Sequence, residues 1–305
     1  ALLSTEYGHI FPDAKRGQIF QFSMNGTSPT EISNKGRKNW FKQNLPFTIS
    51  KYIDGVPTDN TYLGIGILLH YDSRFNRLFL TKLDYQPLDS LIRYVDGKFY
   101  KENVEVFLQD KRYFCNKSWT TSYNFYTQSW VSMHSFTPNF YIANQNWWMS
   151  GLNGNGLGAS SVWTHGLTNK SYQVYYGKLH PFIIDVRTSP SIVNKKVNSV
   201  EYYLDVIRYH REFDKTYIKD KGFNKAVVSN RFQTTGILAL KPNDKTLLHE
   251  FLNYPKATLT ETEILINSYK NGFQFNDILN KAKNDENNLP IWISSCNNVD
   301  KFVNL

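Results

Sequence analysis

The stretch WTTSYNFYTQSWVSMHSFTPNFYIANQNWW, residues 119–148, carries the pattern that decides the fold of this chain. Large and β-branched residues alternate with small polar residues over 119–124, and a similar alternation follows over 130–135. Polar turn residues and Pro138 interrupt the pattern, and 140–143 starts a third run. Alternation with a period of two, broken by Asn, Pro and Ser, is typical of antiparallel strands joined by turns. We therefore predict three consecutive strands that pair as a meander.

Side chains of a strand point alternately to its two faces. In the second run, Trp130, Ser132 and His134 are therefore expected on one face, and Val131 and Met133 on the other. The first run has the same form, so each strand should offer one face to a core.

Tryptophan is concentrated in and just after this stretch. Aromatic rings bury large surfaces with little rotamer entropy to lose, which suits a sheet face packed against another sheet. The stretch contains no Lys or Arg, whereas nucleic-acid surfaces interleave aromatic and basic side chains on the same strands. Stacking on sugars stays open as an alternative. Five tryptophans are candidates for core or interface positions: Trp119, Trp130, Trp147, Trp148 and Trp163.

The composition is that of a folded, basic protein. Of 305 residues, 41% are hydrophobic and 16% aromatic, unlike the charge-rich and aromatic-poor profile of a disordered chain. The net charge of +9 is spread over scattered pairs such as Lys15-Arg16 and Arg37-Lys38. We interpret these pairs as solvated faces, because single-sign blocks of about five or more mark a binding tail. No apolar run reaches the roughly 18 residues of a membrane span.

Hairpin signals recur along most of the chain and predict a mainly β fold. Turns on Asp or Asn are spaced by about 45 to 60 residues, which favours a propeller-like array, and a β-sandwich with long insertions is the alternative. We assign residues 1–241 to an antiparallel, propeller-like or multi-hairpin β domain, with a short helix near 31–44. Residues 242–305 have helical spacing in places and are assigned to a smaller α+β part.

Motifs that carry chemistry are sparse. The seven histidines form no H-x-H or H-E-x-x-H motif, so we expect His134 and His165 to serve in packing instead of binding a metal. No serine lies in a G-x-S-x-G context. Cys115 and Cys296 have no identifiable base partner and are interpreted as free, mostly buried thiols. No catalytic, cofactor-binding or metal-binding residue is therefore assigned, and we predict a protein that is not an enzyme.

Four acidic residues are the remaining candidates for catalysis. A glycosidase needs two carboxylates that converge across a sugar, and propellers often place acids on one axial face. Nothing in the sequence brings two of these residues together, so surface and turn roles are favoured. The four are Asp84, Asp89, Asp185 and Glu201.

Several segments resemble the tail structural proteins of crAss-like bacteriophages, in particular the muzzle proteins that cap the distal end of the short tail. They include YGHIFPDAKRGQIFQF with EISNKGRKNWF (7–41) and GIGILLHYDSRFNRLFLTKLDY (64–85). SWTTSYNFYTQSWVSMHSFTPNFYI (118–142), VYYGKLHPFIIDV (174–186) and FNKAVVSNRFQTTGILAL (223–240) continue the likeness. The segments cover most of the chain up to about residue 240, and they contain no active-site motif, so no functional residue is carried over.

The resemblance implies a structural virion protein located in the tail. Such a protein would form a ring with other copies of itself and contact neighbouring tail proteins. It would close the distal channel and retain the genome and ejected proteins until infection. Proteolytic maturation would be consistent with a chain that begins at Ala1. The alternative from a different class is a carbohydrate-binding or glycan-degrading β-propeller adhesin.

Overall fold

The computed structural model describes most of the first 180 residues and separate segments beyond them. The described residues are 1–23, 26, 28–144, 147–152, 161–165, 173–184, 186, 199–211, 214–218, 222–228, 235–242, 263–269 and 272–276. They form strands almost throughout, mostly in antiparallel hairpins, so the predicted mainly β fold is confirmed. The chain divides into two compact units, Ala1–His180 and Pro181–Leu305.

The first unit holds the described strands β1 to β18 and two short helices. The strands are β1 (Leu3–Thr5), β2 (Gly8–Asp13), β3 (Gln18–Phe22), β4 (Thr30–Glu31), β5 (Gly66–Asp72), β6 (Arg77–Leu83), β7 (Tyr85–Pro87), β8 (Ile92–Val95), β9 (Lys98–Lys101), β10 (Val104–Val106), β11 (Phe114–Asn116), β12 (Trp119–Asn124), β13 (Ser129–His134), β14 (Phe140–Ala143), β15 (Trp148–Leu152), β16 (Ser161–His165), β17 (Val174–Tyr175) and β18 (Lys178–Leu179). The helices are α1 (Lys38–Asn44) and a 3₁₀ helix (Ile49–Lys51).

Three sheets of this unit position the candidate site. The N-terminal sheet has the order β1-β2-β3-β4, the central sheet β13-β12-β6-β5, and the outer sheet β14-β15-β16. Smaller sheets have the orders β10-β9-β8, β11-β7 and β17-β18. The sheets of this unit contain different numbers of strands. Its described part therefore has the multi-hairpin form of the prediction and shows no repeat of equal four-stranded blades.

The third strand of the predicted meander leaves the central sheet. β12 pairs with β6 on one side and with β13 on the other. β14 instead pairs with β15 in the outer sheet, with Tyr141 opposite Ser150. The predicted meander is therefore wrong in its last strand. The physical reason is the ring of Tyr141, which stacks on His70 of the central sheet with 5.2 Å between centroids, so β14 packs on that sheet instead of extending it.

A β-bulge in β13 changes which side chains share a face. Ser122 pairs with Ser132, whereas the next residue of β12 pairs with Trp130, so Val131 is left without a partner in the ladder. The extra residue reverses the alternation of the strand. Trp130 enters a hydrophobic core, while His134 bonds to Ser122 on the other face. The expectation that Trp130, Ser132 and His134 share one face is therefore wrong.

The helix predicted over 31–44 begins only at Lys38. Thr30–Glu31 form β4 and pair with β3, and the Ile32 N–H donates to the Ile19 carbonyl at 2.9 Å. The chain then turns at Gly36, whose φ of +79° suits glycine. The first residues of the predicted helix are therefore extended, because their backbone groups form hydrogen bonds with β3.

One face of the central sheet packs on the N-terminal sheet and on α1 to form an aromatic and aliphatic core. Aliphatic and aromatic burial of this kind stabilises by roughly 1.5–3 kcal/mol for each fully buried large side chain. Trp130 also donates its indole N–H to the Ile32 carbonyl at 3.0 Å, so its polar atom is satisfied. The core residues are Ile10, Ile19, Ile32, Phe41, Leu45, Leu78, Leu80, Tyr123, Phe125 and Trp130.

The second unit contains a sheet that crosses the predicted domain boundary. Its described strands are β19 (Ser199–Tyr203), β20 (Val206–Arg211), β21 (Asp214–Ile218), β22 (Lys225–Ala226), β23 (Leu238–Pro242), β24 (Glu263–Tyr269) and β25 (Gly272–Asn276). The sheet order is β19-β25-β24-β23-β22, with β23 and β24 parallel, and β20 pairs with β21. The boundary proposed after residue 241 thus falls inside β23. The helical segments expected after β23 lie outside the described residues.

Within the described residues, no helix has the length and apolar character needed to cross a membrane.

Candidate functional site

The second face of the central sheet differs from the first in being rich in polar groups. Thr81 and Thr120 bond to each other across adjacent strands at 2.8 Å, and Thr81 also bonds to the Tyr141 hydroxyl of the outer sheet at 2.6 Å. All the central-sheet residues of this face that follow are buried or partly buried. They are His70 on β5, Phe79 and Thr81 on β6, Thr120 and Ser122 on β12, and His134 on β13.

The outer sheet and the residues after it cover this face. Trp148 and Phe136 are 5% and 4% exposed, and with Phe79 they form a small separate core. Tyr141, Tyr175 and Tyr176 pack against its edge. The sheet-to-sheet contact therefore combines aromatic packing with hydroxyl and imidazole groups.

Three histidines and three aromatic rings alternate in this contact. Trp148 lies between His70 and His165, at 4.7 and 3.6 Å between ring centroids. Phe136 contacts His165 and His134 at 5.2 and 5.3 Å. Phe79 contacts His134 and His70 at 4.9 and 6.3 Å. We call these six residues the histidine layer.

The polar atoms of the layer are only partly satisfied. His134 Nε2 bonds to Ser122 Oγ at 2.9 Å, and His165 Nε2 bonds to Ser150 Oγ at 2.6 Å. The Trp148 indole N–H donates to Asp72 Oδ2 at 3.1 Å. His70 Nε2 is buried and has no hydrogen-bond partner among the described contacts. An orphaned buried nitrogen costs free energy unless a water reaches it.

Burial keeps all three imidazoles uncharged at neutral pH. It lowers the pKa of His70 to about 4, with nearby Asp72 opposing the shift. It lowers the pKa of His134 to about 3, with a smaller contribution in the same direction from Arg77. The pKa of His165 falls to about 3 through burial and then through the other two histidines. The layer is therefore neutral and cohesive at pH 7.

Ser150 and His165 have the separation of a nucleophile and its base, but their surroundings favour a structural role. Ser150 is fully buried, and its Oγ also bonds to the Tyr176 hydroxyl at 2.5 Å. Activation of a serine needs access for the substrate as well as a base. The pair instead ties β15 to β16 and to the residue after β17.

An aromatic ring also stands between each pair of histidines, which keeps their nitrogens from converging. In the described part of the chain, no group of three or more His, Cys, Asp or Glu side chains could hold a metal ion.

The candidate carboxylates that the structure describes are each bound to a structural partner. Asp84 is fully buried and pairs with Lys82. Asp89 bonds to Lys101 at 2.6 Å, which lowers the pKa of Asp89. Glu201, in the second unit, accepts a hydrogen bond from the Tyr203 hydroxyl at 2.7 Å. Asp185 lies outside the described residues.

The five candidate tryptophans fall into different environments. Trp130 and Trp148 are buried in separate cores. Trp119 packs beside the first of these cores, and its indole nitrogen is buried without a hydrogen-bond partner. Trp147 is half-buried, and Trp163 is half-buried with its ring 6.1 Å from that of Tyr176.

Cys115 is buried, as expected. Cys296 lies outside the described residues.

Sequence reasoning identified His134 and His165 as packing residues and missed His70 as their third partner. A histidine inside an otherwise apolar strand, in GILLHYD (66–72), was the available signal. No family model, no curated protein and no solved structure matches this chain.

Proposed function

We propose that this chain is a structural subunit of a short-tailed phage virion, which closes the distal tail channel as a ring and retains the genome and ejected proteins until infection. Its partners would be other copies of itself and neighbouring tail proteins. The likeness of its β segments to tail structural proteins of crAss-like phages supports the proposal, as does the structural use of Asp84, Asp89 and Glu201.

The observation that carries an assembly role is the outward face of the outer sheet. Phe140, Gly151 and Val162 pair across its three strands, as do Ile142, Met149 and Thr164, so that five of the six residues are apolar or glycine. Val162 is 58% exposed and Ile142 is 47% exposed. Contiguous apolar side chains on an exposed sheet face are typical of a protein–protein contact, whereas a solvated surface carries apolar side chains singly.

On the same face, an aromatic ring packs directly over a glycine of the neighbouring strand. A Cβ on Gly151 would lie 1.9 Å from Phe140 Cζ, so the Phe140 ring covers the glycine. Rings and branched side chains on a sheet face give a rigid contact with little side-chain entropy to lose. Such a face suits the obligate contacts of a closed ring.

The test is the mass of the full chain in solution, measured by native mass spectrometry and mass photometry. We expect a closed oligomer whose contacts bury more than about 2,000 Å² for each pair. Val162→Lys should reduce it to monomers. Val104→Lys is the matched control, because Val104 is 62% exposed on β10, which belongs to a different sheet. A wild-type monomer at micromolar concentration would contradict the proposal, and a monomer that hydrolyses surface polysaccharide would support the glycan-degrading alternative.

A further inference from the structure

The histidine layer joins two sheets through groups that can each acquire a positive charge. His70 and His134 belong to the central sheet, and His165 belongs to the outer sheet. Protonation of all three would place three charges among rings whose centroids are 3.6 to 6.3 Å apart. Uncompensated charge in such surroundings is costly, and like charges add to the cost.

The groups that face the layer offer little compensation. On the central sheet they are Asp72 at the end of β5 and Arg77 at the start of β6. Asp72 is the carboxylate among them, and it already accepts from the Trp148 indole and from the Arg74 backbone N–H. Arg77 is itself a cation, and its buried Nε has no hydrogen-bond partner among the residues that the structure describes.

The covering elements supply phenols in place of carboxylates. Tyr141 on β14, Tyr175 on β17 and Tyr176 after it face the layer, and burial raises the pKa of each. They therefore stay uncharged in acid. His180 lies 5.9 Å from Tyr175 between ring centroids, and it can add only positive charge.

Hydrogen bonding compensates for only part of the added charge. Ser122 and Ser150 can accept hydrogen bonds from protonated His134 and His165. Each hydroxyl already bonds to the same nitrogen of the neutral histidine, so protonation adds no hydrogen bond there. A proton on His70 Nε2 would create a buried N–H with no acceptor in the described contacts. Water must enter the layer before these rings can hold charge.

We propose that the histidine layer is an acid-sensitive joint, and that mild acid opens the outer sheet away from the central sheet while the core under the N-terminal sheet stays packed. The two contacts differ because the N-terminal core is built from aliphatic and aromatic side chains. This property goes beyond the proposed virion role and does not depend on it.

The lowered pKa values of the three histidines determine how the stability of this joint changes with pH. All three histidines have a pKa in the folded unit that lies below the ordinary value of 6.5. Their contribution to stability is therefore complete above about pH 6.5 and is lost progressively as the pH falls through the folded-state values of about 4 for His70 and about 3 for His134 and His165. Each histidine that must take up a proton on opening raises the opening constant up to about tenfold for each pH unit below 6.5.

Hydrogen exchange followed by mass spectrometry on the full chain tests this joint. Rates corrected for intrinsic exchange should show opening of peptides over β14 to β16 between pH 6.5 and 5, with peptides over β1 to β3 still protected. The opening constant should rise by up to about a thousandfold for each pH unit in the wild type, for three protons. His134→Gln and His165→Gln should each reduce this rise by about tenfold for each pH unit.

His9→Gln is the control, because His9 bonds to Ser4 in an exposed hairpin and should leave the slope unchanged. If the histidine variants do not fold, the wild-type slope and the exchange of the three imidazole C2 protons decide alone. Opening that does not depend on pH over this window, or equal acid opening of β1 to β3, would overturn the proposal. The readout is local to these peptides, so it is independent of whether the chain forms a ring.

Discussion

Lys82 Nζ and Asp84 Oδ2 lie 2.7 Å apart with side chains that are 2% and 0% exposed. Lys82 also donates to the Asn44 and Pro46 carbonyls at 2.8 Å each. Asp84 accepts from the backbone N–H groups of Thr48, Ile49 and Tyr85. The pair therefore fixes the connection between α1 and the 3₁₀ helix to the end of the central sheet. A residue that could have served as a catalytic acid is used instead to hold the fold together.

Removing one partner of this pair should destabilise the first unit strongly. Burial lowers the pKa of Lys82, and the neighbouring Asp84 opposes that shift, so Asp84 stabilises the charged form of Lys82. Lys82→Met and Asp84→Asn should each reduce the free energy of unfolding by about 3–5 kcal/mol, since each leaves the other group buried without its partner. Urea unfolding followed by tryptophan fluorescence at pH 7 measures the change.

The double variant Lys82→Met/Asp84→Asn should cost clearly less than the sum of the single variants. Lys98→Met is the control, because its ion pair with Glu105 is exposed and should contribute little. Single variants that match this control would show that the buried pair has no structural role.

Two tryptophans of the same core should respond differently to loss of the indole nitrogen. Trp130 donates to the Ile32 carbonyl, whereas the buried indole nitrogen of Trp119 has no hydrogen-bond partner. Trp130→Phe should cost about 0.5–1.5 kcal/mol more than Trp119→Phe, because it removes a buried hydrogen bond and leaves the Ile32 carbonyl with the longer bond, 3.3 Å, from the Lys35 N–H. Thermal and urea unfolding of both variants provide the comparison, and equal costs would contradict the hydrogen-bond argument.

The bulge in β13 predicts a contrast between two single-residue deletions. Val131 and Met133 are similarly exposed, at 46% and 49%. Deletion of Val131 should restore an unbroken ladder with β12 and be tolerated, since Trp130 and His134 keep their faces. Deletion of Met133 should turn His134 away from Ser122 and cost about 3 kcal/mol or more, in the range of disrupted buried polar contacts. Tolerance of both deletions, measured by thermal unfolding, would show that the register is not fixed by these faces.

Substitutions at Gly17 and Gly36 should distinguish the cost of backbone strain from the cost of a steric clash. Both have positive φ, +67° and +79°, but a Cβ on Gly17 would lie 2.6 Å from Lys42 Cα in α1, whereas Gly36 has open space. Gly36→Ala should cost about 1–2 kcal/mol from backbone conformation alone. Gly17→Ala should cost a further 1–3 kcal/mol or so, because α1 must move away from the β2–β3 turn. Equal costs in urea unfolding would mean that α1 shifts freely.

The local pairings were predictable because their signals are local. Asp96-Gly97 is one of the strongest two-residue turn signals, and it joins β8 to β9 with both residues at the positive φ that such a turn requires. The hairpins β2–β3 and β5–β6 likewise follow from alternating strands on either side of a polar turn. In each case the interacting residues are near in sequence, so composition and period are sufficient.

The departures from prediction are long-range. β14 pairs with β15 because Tyr141 stacks on His70, which is distant in sequence. The bulge at Val131 places Trp130 in the core under the N-terminal sheet and His134 in the histidine layer on the opposite face. From the sequence, Lys82 and Asp84 look like ordinary polar residues at the end of a strand. In the fold, the chain that follows α1 covers and buries them. No periodicity in the chain encodes which surface meets which.

The stretch 119–148 by itself therefore determined that this protein is built from aromatic, antiparallel strands with a mainly β fold. Side-chain alternation and turn chemistry act over a few residues, and they survive in any arrangement of the sheets. Only the tertiary structure decided that His70, His134 and His165 meet around Phe79, Phe136 and Trp148. That layer exists because two sheets bury their faces against each other, and burial gives these histidines properties that they lack in the isolated sequence.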